Sequence, residues 1–264
     1  MSAASVSSRV LVALMNSVPA SAATRFEPTA RSARIARRVL NPLLPSATTT
    51  VVVRAGNAKG LRVCIDPRNE KFYWTGRYEP GVQDAFVRLL HPGATVWDVG
   101  AHIGFFTALA ARCVGPTGTV HAIEPLAANR ARLARTIRAN RLMNVHVHAA
   151  ALAREPGRSK LRVHASTSMA SLGSETGVGV EVTCFSLDDM LVRGSYGTPL
   201  LVKIDAEGAE IDILRGGLSL ARGTDAAFIV EFHHPHAVDE ARELLATHTF
   251  ESLSNRHWLL QRNR

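Results

Sequence analysis

Two hydrophobic periods divide the chain. Short apolar or β-branched runs at 49–54 and 61–65 are separated by Gly56, Asn57 and Gly60, which predicts a hairpin. Val82, Ala85, Phe86, Leu89 and Leu90 then recur at helical spacing until Pro92-Gly93 stops them. Beyond Gly93, apolar runs at 95–99, 119–123, 145–149, 200–204 and 226–232 are separated, in most cases, by helical patterns near 105–113, 126–141, 207–215 and 236–247. That alternation predicts β-α-β units and a mainly parallel sheet. Two final runs, at 250–253 and 257–260, are expected to close the sheet as an antiparallel pair. The pattern gives three regions: a tail over 1–46, a hairpin-plus-helix cap over 47–92 and an α/β domain over 93–264.

Charge changes this picture less than its total suggests. The 264 residues carry a formal charge of +9, but residues 1–46 hold six arginines against one acid, Glu27. The rest is nearly balanced, with 25 basic and 21 acidic side chains, so the overall charge says little about a partner of the folded body. The tail is rich in Ser, Ala and Arg and lacks a sustained apolar period, so a flexible segment with a short amphipathic helix near 33–40 is expected. No stretch is long enough to span a bilayer, and a cytoplasmic protein is expected, with a cleaved targeting leader as the alternative. Three cysteines, Cys64, Cys113 and Cys184, form no CxxC pair, which argues against a disulfide scaffold or a structural zinc site and for a reducing compartment.

The candidate chemistry begins at Asp98-Val99-Gly100-Ala101-His102-Ile103-Gly104, a strand running into a glycine turn and a helix. Gly100 permits a sharp bend and Gly104 a close helix approach, which admits a nucleotide-like ligand. The GxxxG spacing lacks the GxGxxG of a pyrophosphate cradle, which weighs against a nicotinamide-dependent oxidoreductase. Asp98 at the lip suits a cationic group. Glu124, twenty residues after Gly104, ends the next predicted strand, where a carboxylate can accept from both hydroxyls of a ribose. The ligand that fits is S-adenosylmethionine, with Asp98, Gly100, Ala101, Gly104 and Glu124 as its binding residues.

A second acidic segment, Lys203-Ile204-Asp205-Ala206-Glu207-Gly208-Ala209-Glu210, places three acids at the start of a predicted helix. Glu207 and Glu210 suit a helix N-terminus, where the dipole favours negative charge. Asp205 ends a strand buried on both faces, and Lys203 on the same face must be paired, with Asp205, Asp98 or Glu231 as the expected partner.

These segments, with Ala122-Ile123-Glu124-Pro125, Ser186-Leu187-Asp188-Asp189-Met190, Glu231-Phe232-His233 and the upstream Gly76-Arg77-Tyr78-Glu79-Pro80, resemble in order and spacing the FkbM family of S-adenosylmethionine-dependent methyltransferases. The resemblance covers about residues 50–235; His102 departs from it, since the family usually carries Asn there. It implies a class I methyltransferase (Rossmann-like) fold: a seven-stranded, mostly parallel sheet of order 3-2-1-4-5-7-6 beneath the small N-terminal cap. It also implies O-methylation of a hydroxyl on a small molecule, natural product or glycan. A non-catalytic cofactor-binding protein of the same fold is the alternative, and an RNA-directed methyltransferase a weaker one.

On this reading Asp205, Glu207 and His233 face the acceptor. His233 attracts attention as a base because an unperturbed imidazole titrates near neutral pH, and His234 is more simply structural. No local ligand cluster points to a metal, although Asp205, Glu231 and the histidine pair offer ligand atoms. Arg130, Arg132, Arg135, Arg138 and Arg141 lie on one predicted helix and read as a solvated face. No aromatic residues interleave with them, so a nucleic-acid partner is disfavoured. Tyr73, Trp74 and Tyr78 read as core, and the polar stretch 166–179 as a loop over or beside the site.

Overall fold

The computed structural model describes Ser17 and residues 47–163, 170–172 and 179–263. The helix expected near 33–40, the rest of the tail and most of the 166–179 loop lie outside these residues. Strands β1 (Thr49–Val52) and β2 (Arg62–Ile65) pair antiparallel, as the spacing predicts. Two helices, α1 (Lys71–Thr75) and α2 (Pro80–Leu89), complete the cap. Proline at the first position of α2 has no backbone N–H to satisfy, and the buried stripe of Val82, Ala85 and Phe86 packs α2 inward.

The main sheet contains β3 (Thr95–Val99), β4 (Thr119–Ile123), β5 (Val145–His148), β10 (Leu201–Ile204), β11 (Ala227–Glu231), β12 (His248–Ser252) and β13 (His257–Arg262). Their spatial order is β12-β13-β11-β10-β3-β4-β5. Neighbours from β5 to β11 are parallel, and β13 runs antiparallel between β11 and β12. The expected order is therefore present, with β10 directly beside β3, so both chains leave the sheet at the same edge.

Alternate residues of each central strand enter opposite hydrophobic layers. Val96, Leu201 and Ile229 pack with α2, α3 (Phe105–Val114) and the cap. Trp97, Val202, Phe228 and Val230 pack with α5 (Leu187–Val192), α6 (Glu210–Arg215), α7 (Leu218–Gly223) and α8 (Ala237–Leu244). Fully burying a side chain of this size stabilises by about 1.5–3 kcal/mol. The period of two puts Asp98, Lys203 and Glu231 on the same sheet face as the first layer, towards the cap.

The Ser186–Met190 motif has a structural role. Ser186 Oγ caps α5 by accepting from Asp189 N at 3.0 Å, and Asp188 accepts from Ser219 N and Leu220 N at the start of α7. A four-stranded sheet of order β6-β9-β7-β8, comprising β6 (Ala151–Leu152), β7 (Gly157–Val163), β8 (Ala170–Leu172) and β9 (Gly179–Phe185), goes beyond the sequence expectation. Helix α4 (Ala127–Asn140) packs Leu133 against Ala122 of β4, and its arginines are more than a solvated face. Arg132 pairs with Glu70 and donates to Cys64 O, and Arg135 reaches Thr48 Oγ1 at 3.0 Å, tying α4 to the cap. Arg130 donates to Glu124 O at 3.0 Å beside the site.

Candidate active site

The glycine turn is fixed by sterics. Gly100 has φ 77°, and a Cβ there would stand 1.9 Å from Asp205 O, so β3 and β10 approach each other more closely than any side chain permits. Gly100 N and Ala101 N both donate to Ile123 O, at 3.0 and 3.1 Å, which binds the turn to the end of β4. Gly104 caps α3 in the left-handed region, under Leu133. His102 also has a positive φ of 50°. Asn and His are both enriched in that region, which accounts for the departure at this position without a change in the turn.

Glu124 is 4% exposed, and each of its oxygens is engaged: Oε2 accepts from His102 N at 2.9 Å, and Oε1 from Leu126 N at 2.8 Å. Burial raises its pKa, and the backbone donors oppose that shift. Asp98 is 1% exposed; Oδ2 accepts from Thr107 Oγ1 at 2.5 Å, whereas Oδ1 is buried with no hydrogen-bond partner. Lys203 lies opposite Asp98 in the β3–β10 register, bonds Asp205 Oδ2 at 3.1 Å and stands 5.1 Å from the centroid of the Phe106 ring. Burial opposes its charge, but Asp205, Asp98 and Glu79 outweigh that and hold its pKa above the ordinary lysine value. The expected partnership of Lys203 with Asp205 is therefore present.

The loop after β10 departs from expectation in one respect. The helix starts at Glu210 rather than 207, because Glu207 (φ 50°) and Gly208 (φ 102°) make a left-handed turn first. Glu210 is 1% exposed and holds this turn by accepting from Gly208 N at 2.7 Å. The same Oε1 lies 2.8 Å from His233 Nδ1, while His233 Nε2 lies 3.5 Å from Glu207 and 3.6 Å from Glu231. The hydrogen bond to Glu210, against the cost of burial and with Glu231 and Glu207 nearby, pushes His233 up to about 9. That shift favours the protonated ring at neutral pH. Burial chiefly raises Glu207, with Asp205, Glu231 and Glu210 adding to the shift and His233 opposing it. His234 is exposed and does not line the cavity.

Seven of the eight residues singled out in the sequence, Asp98, Gly100, Ala101, Glu124, Asp205, Glu207 and His233, line one cavity of about 760 Å³; Gly104 supports it from α3. Ile123, Leu126, Ala150 and Leu152 make an apolar wall near Glu124, suited to a heteroaromatic base. Phe72, Tyr73, Tyr78 and Phe105 cover the cap side, with Tyr73 and Tyr78 rings 4.4 Å apart. Residues that the motifs did not assign also line it: Glu79, His102, Arg132 and Glu231. Glu79 stands in a quoted motif, but its approach to β11 depends on the folding of the cap, which no local pattern encodes.

This is a class I methyltransferase fold with its crevice at the switch point, where β10 and β4 flank β3. The model of the FkbM methyltransferase domain matches residues 98–252, and the chain belongs to that family. Similar solved structures include a methyltransferase FkbM from Methylobacillus flagellatus, at 15% identity over 73% of this chain and 52% of that one, with a TM-score of 0.47. This chain spans about half the length of that protein. A putative rRNA methylase from Clostridium thermocellum matches at 13% identity over 69% of this chain and 94% of that one, TM-score 0.46. Aeropyrum pernix fibrillarin, in complex with S-adenosyl-L-methionine, matches at 10% identity over 66% and 68%, TM-score 0.41. No curated protein matches the chain.

The cofactor of the family is S-adenosylmethionine, and the residues present fit it. The orphaned Asp98 Oδ1 is an acceptor suited to an ammonium donor, and Glu124 with its apolar wall suits an adenosine. Among the described residues, no helix is long and apolar enough to cross a membrane.

Proposed function

We propose that the chain transfers a methyl group from S-adenosylmethionine to a hydroxyl oxygen of a small molecule, natural product or glycan. The observation that carries this reading is the second set of ionisable groups, Asp205, Glu207 and His233, in the same cavity as the cofactor-binding turn. When bound, the cofactor supplies a sulfonium-activated methyl, so the protein's task is chiefly alignment in a dry site.

A hydroxyl acceptor must lose its proton as the new bond forms. Glu207, a half-buried carboxylate of raised pKa, is suited to receive it. His233, held by Glu210, positions Glu207 through the 3.5 Å contact and keeps a positive charge beside the developing alkoxide. Asp205 lines the same cavity and is anchored by Lys203. The aromatic cap side supplies apolar surface for the body of the acceptor.

The test is methyl transfer from radiolabelled cofactor to a panel of polyols, glycosides, phenols, amines and RNA. Label on a hydroxyl compound, with a mass increase of one methylene, supports the reading. Transfer to amines or RNA alone overturns it, and cofactor binding without transfer to any acceptor favours the non-catalytic alternative.

A further inference from the structure

Glu79, Glu231 and His257 come from three distant parts of the chain. Glu79 precedes α2 in the cap, Glu231 ends β11 and His257 opens β13, where it is the cross-strand partner of Glu231. Ligand-capable atoms of the three lie within 4.8 Å of one another. His257 is 5% exposed, and its Nδ1 is 2.9 Å from Ser254 Oγ, which leaves Nε2 as the inward edge of the ring. That nitrogen stands 3.0 Å from Glu79 Oε2 and 3.4 Å from Glu231 Oε2.

These contacts are close but badly directed. His257 Nε2 and Glu79 Oε2 are both shut from solvent, and neither makes a hydrogen bond of acceptable geometry. Buried polar atoms without a well-directed hydrogen bond call for an explanation, and an ion seated between them supplies one where an imidazolium–carboxylate pairing leaves both atoms poorly aimed. Metal-binding histidines commonly have their outer ring nitrogen held by a second polar group, and Ser254 Oγ takes that place here.

We propose that Glu79, Glu231 and His257 bind one divalent first-row transition ion, such as zinc or manganese. Two carboxylate oxygens and an imidazole nitrogen suit such ions, whereas magnesium and calcium favour all-oxygen sets. The ion joins the cap to β11 and β13. Glu79 and Glu231 also line the cavity, so its remaining coordination positions are within reach of a water or an acceptor oxygen. Only that last point rests on the function proposed above.

The test uses the tag-free full chain, stripped with a chelator and titrated calorimetrically with zinc, manganese and magnesium salts, with S-adenosylmethionine binding measured in parallel. The expected result is saturable binding of one zinc or manganese ion, with a rise in Tm, and magnesium weaker by about tenfold or more. Glu79→Gln and His257→Gln should each weaken the ion by about tenfold or more. Should His257→Gln fail to fold, Glu79→Gln in the cap carries the test alone. No saturable binding up to millimolar ion overturns the proposal, as does binding that survives Glu79→Gln or is abolished instead by His148→Gln at the end of β5, where His148 Nε2 lies 3.0 Å from His121 Nδ1. Loss of cofactor binding by the unsubstituted chain would count against the methyltransferase reading and leave the ion titration to be judged separately.

Discussion

Lys203 is the cross-strand neighbour of Asp98 and hydrogen-bonds Asp205, so one buried ammonium serves carboxylates on two adjoining strands. Burial raises the pKa of both acids and Lys203 opposes it, which makes the lysine the condition for keeping them ionised. Lys203→Met should destabilise the fold by about 3–5 kcal/mol at pH 7. Part of the loss should be recovered at pH 5, as the two acids take up protons. Urea unfolding at both pH values checks this; equal losses would disconnect the lysine from the acids.

Asp98→Ala and Glu124→Ala should each weaken S-adenosylmethionine by about an order of magnitude, the worth of one charged hydrogen bond. Calorimetry gives the affinities, and unchanged values in both would move the cofactor elsewhere.

Gly100→Ala should destabilise by about 2 kcal/mol or more, because the methyl meets Asp205 O in a backbone conformation that alanine resists. Thermal unfolding measures the loss. Gly60→Ala, where the added carbon meets nothing within 4 Å although φ is 85°, isolates the conformational share.

Glu210→Gln should lower the His233 pKa from about 9 towards the ordinary histidine value, since the Glu210 hydrogen bond is the largest cause of the shift. Titration of the His233 ring resonances by NMR reads this directly, and the pH profile of methyl transfer should move with it. A ring that still titrates near 9 would assign the shift to Glu207 and Glu231.

A second histidine cluster sets an acid limit on stability. His121 Nδ1 lies 3.0 Å from His148 Nε2, His146 stacks on His121, and burial with the neighbouring histidines lowers His121 to about 4. Between about pH 6.5 and 4 the unfolded chain binds this proton and the folded chain does not, so stability should fall on acidification through that window and be fully retained above it. Chemical denaturation across pH 4–8 should show the fall, and His121→Phe should flatten it. A slope unaltered by that substitution would place its origin in other groups.

Legibility in the sequence followed locality. The central strands and α3 were readable because alternating burial and helical spacing are short-range, and the turn residues because Gly100 must escape a Cβ clash. The β7–β9 sheet was less so, although 180–184 alternates apolar and polar residues, since its polar stretch resembled a loop. Glu207 resembled a helix N-terminus, and only the left-handed turn shows why α6 begins three residues later. Arg132 resembled a solvated residue because its partner Glu70 lies 62 positions away. His257 meets Glu79 only after the cap folds against the sheet and β13 inserts beside β11, a relationship fixed by topology rather than by any nearby pattern.

The two backbone amides that grip Glu124 have a kinetic and thermodynamic corollary. If Glu124 takes the ribose of the cofactor, a carboxylate already clamped at both oxygens has little rotational freedom left to surrender on binding, so its ordering is completed during folding rather than at encounter. Discrimination between nucleosides then becomes a matter of matching a rigid template: a deoxyribose analogue gains nothing from side-chain readjustment and loses the missing hydroxyl's contribution in full.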